Sequence, residues 1–430
     1  MDEWQKTTIG AVATIYDGPH ATPRTVDHGP VFLGISALQK GRLDLTETRH
    51  VTAKDYVTWT RRIRPQAEDV VFSYETRIGE AAIIPEGLDC CLGRRMGLVR
   101  THRTLLDPWF FLYFYLAPPF QEFLRSRTIP GATVDRIALK EFPSFPIVLP
   151  PMVEQRRIVS ALRAIDDKIE LNRRMNETLE AMARTIFKDW FVDFGPTRAK
   201  MQGSAPYLAA DIWALFPDRL DSEGKPDGWQ TKPFLDSTSL LSGGTPKTDR
   251  ADFWGGEIAW ASAKDVSQCG ETFLFDTERC ITDAGLTGSS TRMIPAYATV
   301  VVARGATTGR FCMSGQEMAM NQTCYALKSK NDHNFWTNCA FAQLVEGLVH
   351  AAHGSVFDTI TTDTFQRTSF INDDRAKDAF EVLVRPLFTR ISANIADNRS
   401  LAATRDLLLP KLISGEVSIR DAKTKVAAAA

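Results

Sequence analysis

Residues 153–191 read VEQRRIVSALRAIDDKIELNRRMNETLEAMARTIFKDWF, and this stretch decides the fold. It holds no internal Gly or Pro, and Ile158, Leu162, Ile165 and Ile169 recur with 4-3-4 spacing. That period places the four side chains on one face of a long helix, an apolar stripe that needs a partner. Asn172 and Asn176 interrupt the stripe, which resumes at Met175, Leu179, Met182 and Ile186. A late segment has the same character, with Phe380, Leu383, Leu387, Ile391 and Ile395, then Asn398, Leu401 and Leu408. The two segments are natural partners. An amide at an apolar seam costs stability but fixes register, and Asn172 and Asn394 are the candidates for that role.

Around these helices the chain is written twice. Trp4-Gln5 faces Trp229-Gln230, and Gly-Ile-Ser-Ala at 34–37 faces Trp-Ala-Ser-Ala at 260–263. Val70-Val71-Phe72, ahead of a polar loop ending in Gly79, faces Val300-Val301-Val302, ahead of one ending in Gly309. Gly-Ala-Thr-Val-Asp-Arg-Ile at 131–137 faces Gly-Ser-Val-Phe-Asp-Thr-Ile at 354–360, and Asn172-Arg173 faces Asn398-Arg399. One order and a long offset mean duplicated domains rather than the short units of a solenoid. Each copy opens with short β-rich runs punctuated by Gly, Pro and Asn, and has one helical segment after Trp109 or Trp336. That is the pattern of an α/β unit with polar loops. The expected organisation is a globular domain over 1–150, a helix over 151–194, a turn-rich connector over 195–228 with a short helix at 208–215, a second globular domain over 229–372, a second helix over 373–415 and a tail over 416–430.

Composition narrows the function. With 430 residues, 44% of them hydrophobic, the chain can build two or three cores. A net charge of −1 argues against indiscriminate coating of nucleic acid, which depends on excess Lys and Arg. It leaves room for a reader inside a complex whose partners supply much of the phosphate grip. The seven cysteines are scattered without a Cys-x-x-Cys pair, which suits reduced thiols in a cytoplasm. The first residues lack the basic flank and apolar core of a signal peptide, and no stretch approaches the roughly 18 apolar residues of a membrane span. The expectation is a soluble cytoplasmic protein with no membrane partner.

Catalytic chemistry is missing. A DNA methyltransferase should carry a Gly-rich S-adenosylmethionine turn and an Asn/Asp-Pro-Pro-Tyr/Phe motif; the nearest match, Ala117-Pro118-Pro119-Phe120, lacks the amide or carboxylate acceptor. The loops at 243–248 and 305–310 do not fit Gly-x-x-x-x-Gly-Lys-Ser/Thr. No His, Cys or carboxylate cluster suggests a metal. No catalytic residue, metal ligand or cofactor site is therefore assigned to this chain.

One set of motifs remains. Leu-Pro-Pro-Met-Val-Glu-Gln-Arg-Arg-Ile at 149–158 opens the first helix, and Phe-Val-Asp-Phe-Gly-Pro-Thr-Arg-Ala-Lys at 191–200 closes it. Trp-Ala-Leu-Phe-Pro-Asp at 213–218 and Glu-Gly-Lys-Pro-Asp-Gly-Trp at 223–229 follow. In this order, inside a tandem repeat covering essentially the whole chain, they resemble the specificity subunit of type I restriction-modification enzymes. The second junction, Asn372-Asp373-Asp374-Arg375-Ala376-Lys377, departs from the Pro-Pro-x-x-Glu-Gln pattern. The resemblance implies a mixed α/β (α+β) fold: two target-recognition domains in tandem, separated by two long helices packed as an antiparallel coiled coil. It also implies a bipartite, asymmetric site on double-stranded DNA, with two modification (methyltransferase) subunits and restriction (motor-nuclease) subunits as partners. S-adenosylmethionine, ATP and Mg²⁺ would serve those partners, giving adenine-N6 methylation and ATP-dependent cleavage. Glu154, Gln155, Phe191 and Phe194 are the implied partner-docking residues.

Base reading needs donor and acceptor side chains on loops that can enter a groove. In the first copy the candidates are His20, Thr22, Arg24, Ser36, Lys40, Tyr74, Arg77, Arg94, Arg95 and Thr133. In the second they are Ser242, Thr245, Lys247, Ser262, Lys264, Arg304, Thr307, Thr308, Arg310, Asn321, Gln322 and Ser355. The polar loop after the valine run leads, because both copies place Arg, Thr and Gly there. The rival readings are a self-sufficient methyltransferase or nuclease with an unrecognised site, and an assembly scaffold that reads nothing.

Overall fold

The computed structural model describes residues 4–19, 22–39, 41–46, 48–131, 134–351 and 359–418. It divides into two units, 1–169 with 400–430, and 170–399. The boundary expected at residue 150 is thus a change of secondary structure, not of unit: each long helix contributes one part to each unit.

In the first unit, strand Gln5–Thr8 pairs antiparallel with Pro146–Leu149, Gln5 lying opposite Leu149. A four-stranded sheet runs Ala13–Asp17, Met96–Thr101, Val70–Ser73, Ala81–Ile83. A three-stranded sheet runs Arg49–His50, Val26–Leu33, Cys90–Leu92, the last pair parallel. Val70–Ser73 and Cys90–Leu92 are buried along their whole length, which is why they read as unbroken apolar runs rather than alternating ones. Helix Pro108–Leu116 is apolar on every side and almost wholly buried; Asp107 caps it by accepting from the Trp109 and Phe110 amides. Ala117 then ends this helix and begins Pro118–Ser126, so Pro118-Pro119 is a helix start and Phe120 is core. Phe72 and Phe142 stack at 4.6 Å inside a core that also takes in Ile158 and Leu162 from one long helix and Leu409, Leu412 and Ile413 from the other. Each such large side chain stabilises the unit by about 2–3 kcal/mol through burial.

The second unit repeats this order with one strand added to each main sheet. Gln230–Pro233 pairs with Ser369–Asn372. One sheet runs Thr238–Ser242, Cys324–Ser329, Thr299–Val302, Phe311–Ser314, with Phe273–Leu274 added. The other runs Cys280–Ile281, Trp254–Ala261, Met318–Met320, with Met293–Ile294 added. Its aromatic core joins Phe187, Trp190 and Phe191 to Trp336 and Phe380.

The long helices are Met152–Phe191 and Asp374–Ile413, 40 residues each. Lacking the Pro-Pro start, the second is capped by Asp373, whose Oδ1 accepts from the Arg375 and Ala376 amides at 3.1 Å. Within the second unit Asn172 Nδ2 donates to Asn398 Oδ1 at 2.9 Å and Asn394 Nδ2 to Asn176 Oδ1 at 2.8 Å, so the segments run antiparallel. In the first unit Arg405 Nη1 meets Asp166 Oδ1 at 2.8 Å, and Tyr113 donates to the same carboxylate at 2.6 Å.

Three expectations from the sequence differ from the structure. Counted from the helix starts, Asn172 corresponds to Asn394 and Asn176 to Asn398; Asn172 and Asn398 are bonded partners, not repeat equivalents. The two amide pairs are thus the same contact made twice. Met182 and Leu383, assigned to the stripe, are 47% and 38% exposed, and Ala183 and Val384 are buried in their stead. A helix advances 100° per residue, so a pattern begun at Phe380 reaches the seam again at 384, 388 and 391, one residue off a simple 3-4 count. In the connector, only Ala210–Trp213 of the expected 208–215 is α-helical, and Gly195–Met201 forms a further helix.

Candidate nucleic-acid interface

In the second copy, strands Thr238–Ser242, Trp254–Ala261, Thr299–Val302 and Met318–Met320 all end at one edge of the unit, because Ser242 and Val302 flank the start of Cys324–Ser329 while Ala261 pairs with Met320. Their loops are tied together. Gly244 N donates to Met320 O at 2.9 Å, Asn321 N to Ala261 O at 2.9 Å, and Ala303 N to Thr323 O at 2.9 Å. Thr245 Oγ1 donates to Gln322 Oε1. A Cβ on Gly243 would stand 2.0 Å from Asn321 O, so only glycine allows this approach. Two indoles brace the glycine loop: Trp254 Nε1 donates to Lys247 O and Trp260 Nε1 to Gly244 O, both at 3.1 Å.

The turn at 303–310 closes on itself through Thr308 Oγ1 to Gly305 O at 2.7 Å, with Gly305 at φ +105° and Gly309 at φ +88°. Ser262 caps helix Ala263–Gln268 reciprocally with Asp265, and Ser267 of that helix donates to Thr307 Oγ1 at 2.6 Å. Ser242, Lys247, Arg304, Thr307, Arg310 and Gln322 stand exposed on this surface. Thr308 is buried and holds its loop, whereas half-buried Asn321 shapes its own turn by accepting from Thr323 N and Oγ1. Lys264 is held by Glu278 at 2.6 Å.

The first copy builds the same edge. Gly18 N donates to Met96 O at 2.9 Å, Tyr74 N to Arg95 O at 3.3 Å and Ile137 N to Tyr74 O at 2.8 Å. A Cβ on Gly93 would lie 2.2 Å from Leu33 O. Arg77 Nη1 donates to Ile35 O at 3.2 Å and its Nη2 meets Glu80 Oε1 at 3.2 Å; Arg95 Nε meets Glu75 Oε2 at 3.0 Å. Thr22, Arg24, Ser36 and Arg94 are exposed. Tyr74 is not a reader: it is 5% exposed and donates to Asp17 Oδ1 at 2.8 Å, and burial followed by that carboxylate pushes its phenol well above the ordinary range. His20, Lys40, Thr133 and Ser355 lie outside the described residues. Pairing of Leu33 with Leu92 and of Ala261 with Met320 makes Gly34, not Ser36, the counterpart of Ser262; both stand at the N-terminal position of a helix or 3-10 turn, and only Ser262 caps it with a side chain.

Two exposed arginines escaped the sequence reading. Arg136 pairs through its backbone with Glu75, and Arg292 follows Thr291, whose hydroxyl donates to Met320 O at 2.9 Å. Arg136 was legible inside the repeated 131–137 motif; Arg292 sits in an unpatterned polar run, and only the fold brings it to this edge.

Three of the four docking residues serve the core instead. Gln155 is 1% exposed, with Oε1 accepting from Asp107 N and Nε2 donating to Leu105 O and Pro150 O, all at 2.9 Å. Phe191 and Phe194 are buried, their rings 5.8 and 6.3 Å from that of Trp229. Their side chains are already spent on packing. Glu154 remains half-exposed, 3.3 Å from Arg157.

Among the described residues no group of three or more His, Cys, Asp or Glu could hold a metal, and no helix is long and apolar enough to cross a membrane.

Residues 1–181 and 226–371 match a family described as the type I restriction modification DNA specificity domain. The chain is 26% identical over 340 residues to the type I restriction enzyme HindI specificity subunit of Haemophilus influenzae, covering 68% of this chain and 72% of that one. It is 24% identical over 377 residues to the MjaIX specificity subunit of Methanocaldococcus jannaschii, covering 87% and 83%. A crystal structure of the type I restriction-modification system S subunit from M. genitalium superposes over 96% of each chain, with a TM-score of 0.54 at 13% identity, a likeness of fold.

Proposed function

Because the chain belongs to the type I restriction-modification DNA specificity family, we propose that its two copies each read one half of a bipartite, asymmetric DNA site. The chain is the DNA-recognition subunit, and the complex's enzymatic activity belongs to its partners. The observation that carries the reading is the edge found in both copies, where loops from separate strands converge and present polar side chains on a braced frame. Arginine and lysine there suit guanine O6 and N7 or phosphate, and Gln322 suits adenine. Since the two edges differ residue by residue, the half-sites differ and the site is not a palindrome. The cast completing the complex is two modification subunits, which bind S-adenosylmethionine and methylate adenine N6, and ATP- and Mg²⁺-dependent motor-nuclease subunits. The setting is the cytoplasm.

Replacing residues 1–150 with the matching domain of another specificity subunit, then mapping N6-methyladenine across the genome, tests this. One half of the methylated motif should change and the other persist. If deleting the gene left every methylated motif intact, the reading would fail; a swap that altered no base would leave only a scaffold.

A further inference from the structure

The turns at 74–80 and 303–310 occupy the same place in the two copies. Tyr74 N bonds to Arg95 O and Ile137 N to Tyr74 O; Ala303 N bonds to Thr323 O and Ile360 N to Ala303 O. The backbone bridge of Glu75 with Arg136 recurs as that of Arg304 with Thr359. Ser73 N donates to Glu80 O at 3.0 Å where Val302 N donates to Arg310 O at 2.9 Å. These bonds equate Glu75 with Arg304 and Glu80 with Arg310. Charge is therefore inverted at both ends of one structural element.

The surroundings differ to match. Glu75 is engaged by Arg95 and Glu80 by Arg77, so the first turn is electrically balanced and its guanidiniums are committed. Thr323 stands where the first copy has Arg95, and among the described residues neither Arg304 nor Arg310 makes an ion pair. Both are exposed on a turn held by Thr308 and Ser267. Free guanidiniums on a preformed frame suit an anion, whereas balanced pairs must be broken before they can bind one.

Resting on the proposed DNA-reading role, we infer that Arg304 and Arg310 are a phosphate grip on the second half-site, and that the first copy has no equivalent grip through this turn. Affinity for phosphates releases counterions, so each contact steepens the fall of log K with log salt by about 0.9. The test uses the full chain co-purified with its modification subunits and a fluorescent duplex carrying the methylated motif, titrated across a salt series. R304Q/R310Q should flatten the slope by about 1.8 and weaken binding alike on motif and scrambled duplexes. R77Q/R95Q should flatten it by less than one contact's share. Melting curves check that both variants fold, and because Arg304 and Arg310 are exposed, their replacement should leave the midpoint in place. An unchanged slope in R304Q/R310Q, or equal flattening in the two variants, overturns the inference. Wild-type complex that failed to prefer motif over scrambled duplex would instead overturn the DNA-reading role itself.

Discussion

Gln155 and Lys377 hold the same position in the two long helices, the fourth residue of each, and meet burial in opposite ways. Gln155 is neutral and makes three hydrogen bonds to the backbone that precedes and leads into its helix. Lys377 is also fully buried, but its ammonium lies 3.9 Å from the Trp336 ring centroid, with Asp374 Oδ1 at 3.9 Å and no hydrogen-bond partner among the described residues. Four residues on, the first helix has buried Val159 and the second has Glu381, 4% exposed, accepting from Trp336 N at 2.8 Å. One junction is closed by amides and the other by ionisable groups. Burial lowers Lys377 from 10.5 to about 8 and raises Glu381 from 4.5 to about 7. Such differences teach that one position of a duplicated fold can bury unlike chemistry, an amide satisfied by backbone in one copy and an ammonium set over an indole in the other.

The comparison breaks most sharply at Gln155. Gln155→Leu strands one amide and two carbonyls in the core and should cost about 3 kcal/mol, read as a lower melting midpoint. Retention of wild-type stability would mean those bonds are not what holds the first junction. The second junction should instead respond to pH. Glu381, its folded value raised, contributes stability present below pH 4.5 and lost as pH climbs through about 7. Lys377, its folded value depressed, contributes stability present above pH 10.5 and lost as pH falls through about 8. The junction is therefore weakest between the two, at about pH 7–8. Glu381→Gln should gain about 2 kcal/mol at pH 8 relative to pH 4.5, seen as the difference between variant and wild-type unfolding curves. Lys377→Met, filling the space over Trp336 without a charge, should gain about 1–2 kcal/mol at pH 7 and nothing at pH 11. The smallest effect belongs to the seam: a double-mutant cycle replacing Asn172 and Asn398 with Ala should give a coupling of about 1 kcal/mol, matched by Asn176 with Asn394. Unequal couplings would undo the claim that the two pairs are one contact repeated.

Much of this was legible beforehand. The repeat, both helices, the valine-run strands and the glycine turns came from periodicity and spacing. Periodicity erred by one residue at Leu383 and Met182 because a 3-4 count does not fix which of two adjacent apolar positions faces the seam, and Val384 and Ala183 are the ones buried. Gln155 and Phe191 looked like docking residues because a motif marks them, and a motif does not say whether its side chains face inward. Tyr74 was misjudged for the same reason: its phenol finds Asp17, 57 residues away in the chain.

Sequence alone determined that the chain is a tandem pair of unlike globular copies joined to two long amphipathic helices, since repeat and helical period are properties of residue order. Tertiary structure decided which asparagines bond, which arginines are free and which are neutralised, and that Glu75 and Glu80 stand where Arg304 and Arg310 do. Those facts depend on contacts between residues distant in the chain, and on desolvation, which no local spacing records.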